Sequence, residues 1–164
     1  MKKSDTYYLY DWASQQDFPL RKAPTAVGYS NQDIYFCWLK AVNRNGGGVR
    51  ASVVRDERAT EILEQEEVVF ATVACFEPGT QLGPHKDPPV YGIHYRRIQI
   101  PLYIPSDDCY MIWKGKKVYW EEGVPQQFDV MDNVHEGYNF SDDDMIFLFV
   151  DILKTDDNST LQEV

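Results

Sequence analysis

The chain has 164 residues, 43% of them hydrophobic and 14% aromatic, with a formal net charge of −10. That length and composition fit one globular domain with a real core, and exclude a disordered chain or a small disulfide-stapled scaffold. No apolar run approaches the roughly 20 residues that cross a bilayer, and "MKKSDTYYLY" has no secretory apolar segment, so a cytoplasmic protein that does not enter the membrane is expected.

The charge is unevenly placed. Residues 1–60 carry nine Lys/Arg against six Asp/Glu, and residues 61–164 carry seven against twenty. A strongly negative body repels phosphate backbones, so nucleic acid is not an expected partner. Cys37, Cys75 and Cys109 are odd in number and form no CxxC pair. Cys75 and Cys109, within apolar or aromatic runs, read as small buried hydrophobes, which fits a reducing compartment.

Residues 1–35 are mixed and aromatic, and Pro19 and Pro24 preclude one long helix. "IYFCWLKAV" (34–42) is apolar enough to be buried, as a strand or as the end of a helix. "NRNGGGVRAS" (43–52) reads as a flexible loop and, without a following GK[ST], is not a phosphate-binding P-loop. "RDERATEILEQEE" (55–67) is rich in helix formers. From residue 68 the texture changes. "VVFATVACF" (68–76), "YRRIQIPLYI" (95–104), "CYMIWKG" (109–115), "KVYWEEG" (117–123), "QQFDVM" (126–131) and "MIFLFVDIL" (145–153) read as strands separated by Gly, Pro and Asp turns. Short strands in series predict a mainly β fold, a double-stranded β-helix (jelly roll, cupin-like) with flanking N-terminal helices covering one outer face. The expected organisation is a single domain over 1–164. It has a mixed helical segment over 1–67, a jelly-roll core over 68–153 and a flexible acidic tail over 154–164.

The chain has only three histidines, and one lies in "LGPHKDPP" (82–89). His85 and Asp87 are two residues apart, a spacing that puts both on one side of an extended chain. His135, in "DNVHEGYNF", is expected to meet them at the open end of the sheets. Two imidazoles and one carboxylate are the ligands of a facial triad for iron(II), and zinc can use the same three with a water. The bland reading remains open on residue types alone: a loop histidine beside a solvated aspartate, with His135 packed near Glu136 and Tyr138.

Three ordered segments resemble the aspartyl/asparaginyl β-hydroxylase family of iron(II)- and 2-oxoglutarate-dependent oxygenases. They are "CFEPGTQLGPHKD" (75–87), "RIQIPLYIP" (97–105) and "FDVMDNVHEGYN…MIFLFVDI" (128–152), with "WEEG" (120–123) matching the hairpin before the third. The resemblance implies a jelly roll, Fe(II) on His85 and His135, and 2-oxoglutarate as cosubstrate. It also implies hydroxylation by dioxygen of an unactivated C–H in an Asp or Asn side chain of a peptide, or in a free amino acid. Asp87 stands where animal members often have Gly, and completes the triad. Arg97 would meet the iron-side end of 2-oxoglutarate. Gln99 would meet it too, in the place of a usual histidine, while Arg96 points the other way.

One departure concerns the far carboxylate of 2-oxoglutarate. The family's second arginine is replaced by Met145, and the helping serine by Ala74. A methionine cannot pair with a carboxylate, so a cation from another strand, Lys114 on "MIWK", is the expected substitute. A different acid, or a pocket that binds metal without oxidising anything, are the other readings. The alternatives to the oxygenase are thus a non-catalytic or a zinc-binding jelly roll. Tyr91, Tyr95, Trp113 and Trp120 are candidate mouth residues for a peptide or small molecule.

Overall fold

The computed structural model describes residues 1–23, 30–42 and 47–155. Pro24, most of the glycine loop's first half and the end of the acidic tail lie outside them. Among the described residues, two helices, α1 (Lys3–Ala13) and α2 (Glu57–Leu63), accompany eleven antiparallel strands. The strands β1 (Arg21–Lys22), β2 (Ile34–Ala41), β3 (Gly48–Val49), β4 (Val68–Phe76), β6 (Tyr95–Tyr103), β9 (Gln126–Phe128) and β11 (Met145–Leu153) form a seven-stranded sheet in the order β1-β2-β4-β11-β6-β9, with β3 on β2. The strands β5 (Gln81–His85), β7 (Cys109–Trp113), β8 (Lys116–Tyr119) and β10 (His135–Asn139) form the second sheet, ordered β5-β10-β7-β8. This is a mainly β, cupin-like jelly roll with two helices in the N-terminal region.

Period-two alternation divides the large sheet into two chemically different faces. On β11, Leu148, Val150 and Ile152 face outward into a cluster with Leu9 and Trp12 of α1 and Ile62 and Leu63 of α2. Met145 and Phe147 face inward with Phe76 and Ala74. The helices therefore cover the outer face, and the inner face is left to line the space between the sheets. Helix α2 begins at Asp56, whose side chain accepts from the Ala59 N–H at 2.7 Å. Arg58 ties it to the buried Asp5 of α1 at 2.9 Å.

The segment 34–42, which its length left open, is a strand that pairs with β4 from Ile34↔Phe76 onward. The large sheet therefore begins well before residue 68. Of the glycine loop, Gly48 and Val49 form a short strand on β2. Besides the two-residue β1 and β3, the strands β5 and β10 escaped the sequence reading. β5 contains Gly83 and Pro84, poor strand residues, but it lies at the edge of its sheet, where a missing N–H breaks no ladder. In β10, Gly137 faces Leu82, and a Cβ there would stand 3.3 Å from Leu82 Cδ1. The strand is glycine-containing because the neighbouring strand's side chain occupies that space.

Candidate metal centre

Strand pairing brings the two remote histidines together. His135, the first residue of β10, is registered against His85, the last of β5, and on its other side against Trp113. The imidazole centroids are 4.2 Å apart. Asp87 follows two residues beyond β5, and its N–H donates to Val130 O at 3.0 Å, which fixes the loop after β5 against the loop after β9. One donor atom from each of His85, Asp87 and His135 lies within 4.8 Å of the others.

Hydrogen bonds set the tautomers. His85 Nδ1 lies 2.7 Å from Gly83 O, and His135 Nδ1 lies 3.1 Å from Asn133 O. A carbonyl only accepts, so each Nδ1 carries the proton and each Nε2 of the neutral ring presents its lone pair. Both Nε2 atoms face Asp87 Oδ1 at 3.4 Å. Donors sharing an ion with bonds of about 2.1 Å stand about 3.0 Å apart at right angles and about 3.4 Å apart at the tetrahedral angle. The donor set, the tautomers and the spacing all fit a divalent metal, and the three residues form a 2-His-1-Asp facial triad.

Asp87 is held from behind by Arg97 of β6. Arg97 Nη1 donates to Asp87 Oδ2 at 2.7 Å, leaving Oδ1 toward the imidazoles. The opposite edge of the guanidinium donates to both oxygens of Asp151, from Nε at 2.8 Å and from Nη2 at 2.9 Å. Its face lies 4.7 Å from the Phe149 centroid. Burial opposes ionisation of Asp87, but the Arg97 guanidinium outweighs it and holds the carboxyl well below the usual carboxylate range. Arg97 is itself held above its ordinary value, because Asp151 and Asp87 more than offset its burial.

Gln99, two residues along β6 on the same face, is 6% exposed. Trp120 Nε1 donates to its Oε1 at 2.7 Å. An indole N–H can only donate, so the oxygen must face Trp120 and the amide NH2 is the end left for the cavity. His85, Asp87, Arg97, Gln99 and His135 all line one cavity of about 80 Å³. On a scale where one water takes about 10–15 Å³, it holds a metal and a small ligand or one side chain. Apart from Glu136, its remaining wall is mostly apolar, with Ile34, Phe36, Phe76, Met145 and Phe147 prominent.

Lys114 is not part of that wall. It sits in the tight β7–β8 turn, exposed, with φ 50° beside Gly115 at 77°, and its Nζ lies 5.5 Å from the Trp113 centroid. Met111 and Trp113 are the inward residues of β7, so the next position turns outward, and the expected role of Lys114 at the far carboxylate is corrected on that ground. Arg96 points away from the cavity, its Nε 3.9 Å from Asp129. Of the candidate mouth aromatics, Trp120 lines the cavity, Tyr91 is exposed, and Tyr95 and Trp113 are core. Asp151 is the functional residue that the sequence reading assigned no role. Its one signal is parity: it lies an even number of residues after Met145 on β11, and so faces inward.

The family described as aspartyl/asparaginyl beta-hydroxylase matches residues 15–155. No curated protein sequence matches the chain significantly. Among solved structures, a 2OG-Fe(II) oxygenase family oxidoreductase from Burkholderia pseudomallei aligns with TM-score 0.60 and 12% identity, covering 88% of this chain and 78% of that one. A prolyl-4-hydroxylase from Pseudomonas putida aligns with TM-score 0.55 and 13% identity, over 94% and 89%. A predicted oxalate decarboxylase from Thermotoga maritima aligns with TM-score 0.53 and 15% identity, over 84% and 95%. Such distant likenesses establish the fold, a double-stranded β-helix shared by oxygenases and cupins. The match over most of the sequence goes further: the chain belongs to the aspartyl/asparaginyl β-hydroxylase family.

Proposed function

We propose that the protein is an iron(II)-dependent oxygenase that couples oxidative decarboxylation of a 2-oxo acid to hydroxylation of an unactivated C–H bond. The family resemblance implies 2-oxoglutarate as the acid, and an Asp or Asn side chain of a peptide, or a free amino acid, as the substrate. One atom of dioxygen ends in the new C–OH, and the other in the carboxylate formed as the 2-oxo acid loses CO2. The observation that carries this reading is the convergence of His85 Nε2 and His135 Nε2 on Asp87 Oδ1, at 3.4 Å each, beside a small cavity.

Iron(II) on these three residues would supply dioxygen activation and a chelation site for the 2-oxo acid. The chain's own contributions are positional. Gly83 O and Asn133 O keep the imidazoles in the ligating tautomer. Arg97 holds Asp87 so that one oxygen faces the histidines. The Gln99 amide, oriented by Trp120, offers N–H donors to an acid's carboxylate. The aromatic walls keep bulk water from the reacting atoms.

A rival reading, a metal-binding jelly roll without oxygenase activity, is favoured by one feature, the apolar wall at Met145. The two separate by measuring CO2 release from carboxyl-labelled 2-oxo acids by the iron(II)-loaded protein. Release that requires iron and disappears in His135→Ala supports the oxygenase. Stoichiometric iron binding with no release from any 2-oxo acid supports the rival.

A further inference from the structure

The apolar wall bears on which acid enters. Resting on the oxygenase reading above, we infer that the site takes a monocarboxylic 2-oxo acid with an uncharged, apolar side chain, in preference to the dicarboxylic 2-oxoglutarate.

The cavity offers little positive charge. Among the described residues, its lining contains a single Lys or Arg, which is Arg97. That guanidinium already answers two carboxylates, Asp151 through a two-point fork and Asp87 through Nη1. Register fixes where it lies: Arg97 is opposite Asp151 on β11, at the metal end, whereas Met145 is opposite Phe76 at the strand's other end. Arg97 and Gln99 therefore suit the carboxylate beside the metal and not a second one further in.

The inner end has the opposite chemistry. Met145 and Phe147 face the cavity and are at most 2% exposed, with Phe76 at 4%. The Phe147 ring packs edge-on against both Phe76 at 6.1 Å and Trp120 at 4.8 Å. The one polar group on these side chains, Trp120 Nε1, is spent on Gln99. Asn139, at the end of β10, cannot help, because its Nδ2 donates to Phe76 O and Asp143 O and its Oδ1 accepts from Ser141. Among the described residues, a second carboxylate placed here would lose its hydration and find no cation and no free donor on the lining side chains, the costliest kind of burial. A branched aliphatic or aromatic side chain would replace water against Met145 and Phe147, which is favourable. The same substitution that removes the family's far arginine thus supplies a surface for another tail.

The test compares two acids on the wild-type protein loaded anaerobically with iron(II). 4-Methyl-2-oxopentanoate and 2-oxoglutarate are each titrated, and binding is read from the visible charge-transfer band and from the rise in Tm, neither of which needs turnover. The expected result is at least about tenfold tighter binding of the apolar acid, the scale of discrimination by a shaped apolar pocket. Equal or tighter binding of 2-oxoglutarate overturns the inference and leaves the oxygenase reading standing. A protein that binds iron yet binds neither acid overturns both. Met145→Arg should shift preference toward 2-oxoglutarate, and Met145→Lys serves if the arginine variant fails to fold. A folded variant of either kind with no gain for the diacid overturns the assignment of the Met145 end as the tail pocket.

Discussion

Arg97 bridges Asp87 and Asp151, and so the triad carboxylate on the loop after β5 is oriented by inward-facing residues of two adjacent strands of the large sheet, β6 and β11. The chain of contacts runs from β11 through β6 to the metal ligand, crossing from one sheet to the other. Asp151 touches no expected substrate, and acts by holding Arg97 in place. Replacing it by Asn keeps the shape but removes a charge and one acceptor from the fork. Asp151→Asn should lower affinity for iron(II) or manganese(II) by about 10–100-fold, the usual cost of losing an outer partner of a metal ligand. Titration calorimetry with manganese(II) measures this, and unchanged affinity in a folded variant would remove Asp151 from the account.

A metal that binds only the folded chain must also stabilise it. At a free concentration 100 times the dissociation constant, a single site contributes about 2.7 kcal/mol. The wild-type Tm should therefore rise on adding manganese(II) or iron(II) under nitrogen, and fall back when a chelator is added. His135→Ala should fold, since its backbone pairing with His85 and Trp113 does not need the ring. Its Tm should be insensitive to both additions. An equal metal response in the variant would mean that the ion binds elsewhere.

The triad was legible in the sequence because His85 and Asp87 are close in the chain and His135 has few competitors. Most strands were legible for a similar reason: residues 68–76 and 145–153 form the expected strands to the residue. What stayed hidden depends on register and bulges. Lys114 looked available on a strand, but the two-residue turn that ends β7 sends it outward. Asp151 looked like the end of an apolar run, although pairing places it opposite Arg97. Local propensity also misled at β5, where Gly83 and Pro84 argue for a turn and the sheet edge permits a strand.

Lys40 illustrates a feature that no periodicity could show. On β2, Trp38 and Lys40 would share a face in a regular strand, but a bulge falls between them and reverses the alternation. Lys40 consequently points to the helical side, where Nζ donates to Leu63 O at 2.6 Å and Gln65 O at 3.3 Å, capping the end of α2. Burial draws its pKa down, partly countered by Glu64. Lys40→Ala should cost about 1–3 kcal/mol by leaving the buried Leu63 carbonyl without this donor, whereas Gln65 O keeps the Val68 N–H at 3.0 Å. The measurement is the urea midpoint, with the slope unchanged. A midpoint equal to wild type would mean that water satisfies the helix end.

Stability should also fall at alkaline pH, and Cys75 should account for part of the fall. Burial, followed by the nearby Asp144 and Glu77 carboxylates, pushes its thiol up to about 12. Below the ordinary thiol value, near 9, both folded and unfolded chains carry the proton and the group has no influence on stability. Between there and about 12 the unfolded chain loses the proton while the folded one retains it, so the unfolded state gains and stability declines as pH rises. Tyr138, held up to about 12 chiefly by its hydrogen bond to Glu136, acts with the same sign from about 10 upward. Thermal melts from pH 8 to 11 should steepen downward above pH 9 in the wild type. Cys75→Ala should flatten the first part of that decline, and Tyr138→Phe the later part. The thiol should also resist iodoacetamide at pH 8 in the native protein and react once urea unfolds it. Rapid labelling of native Cys75 at that pH would contradict the burial on which the alkaline prediction rests.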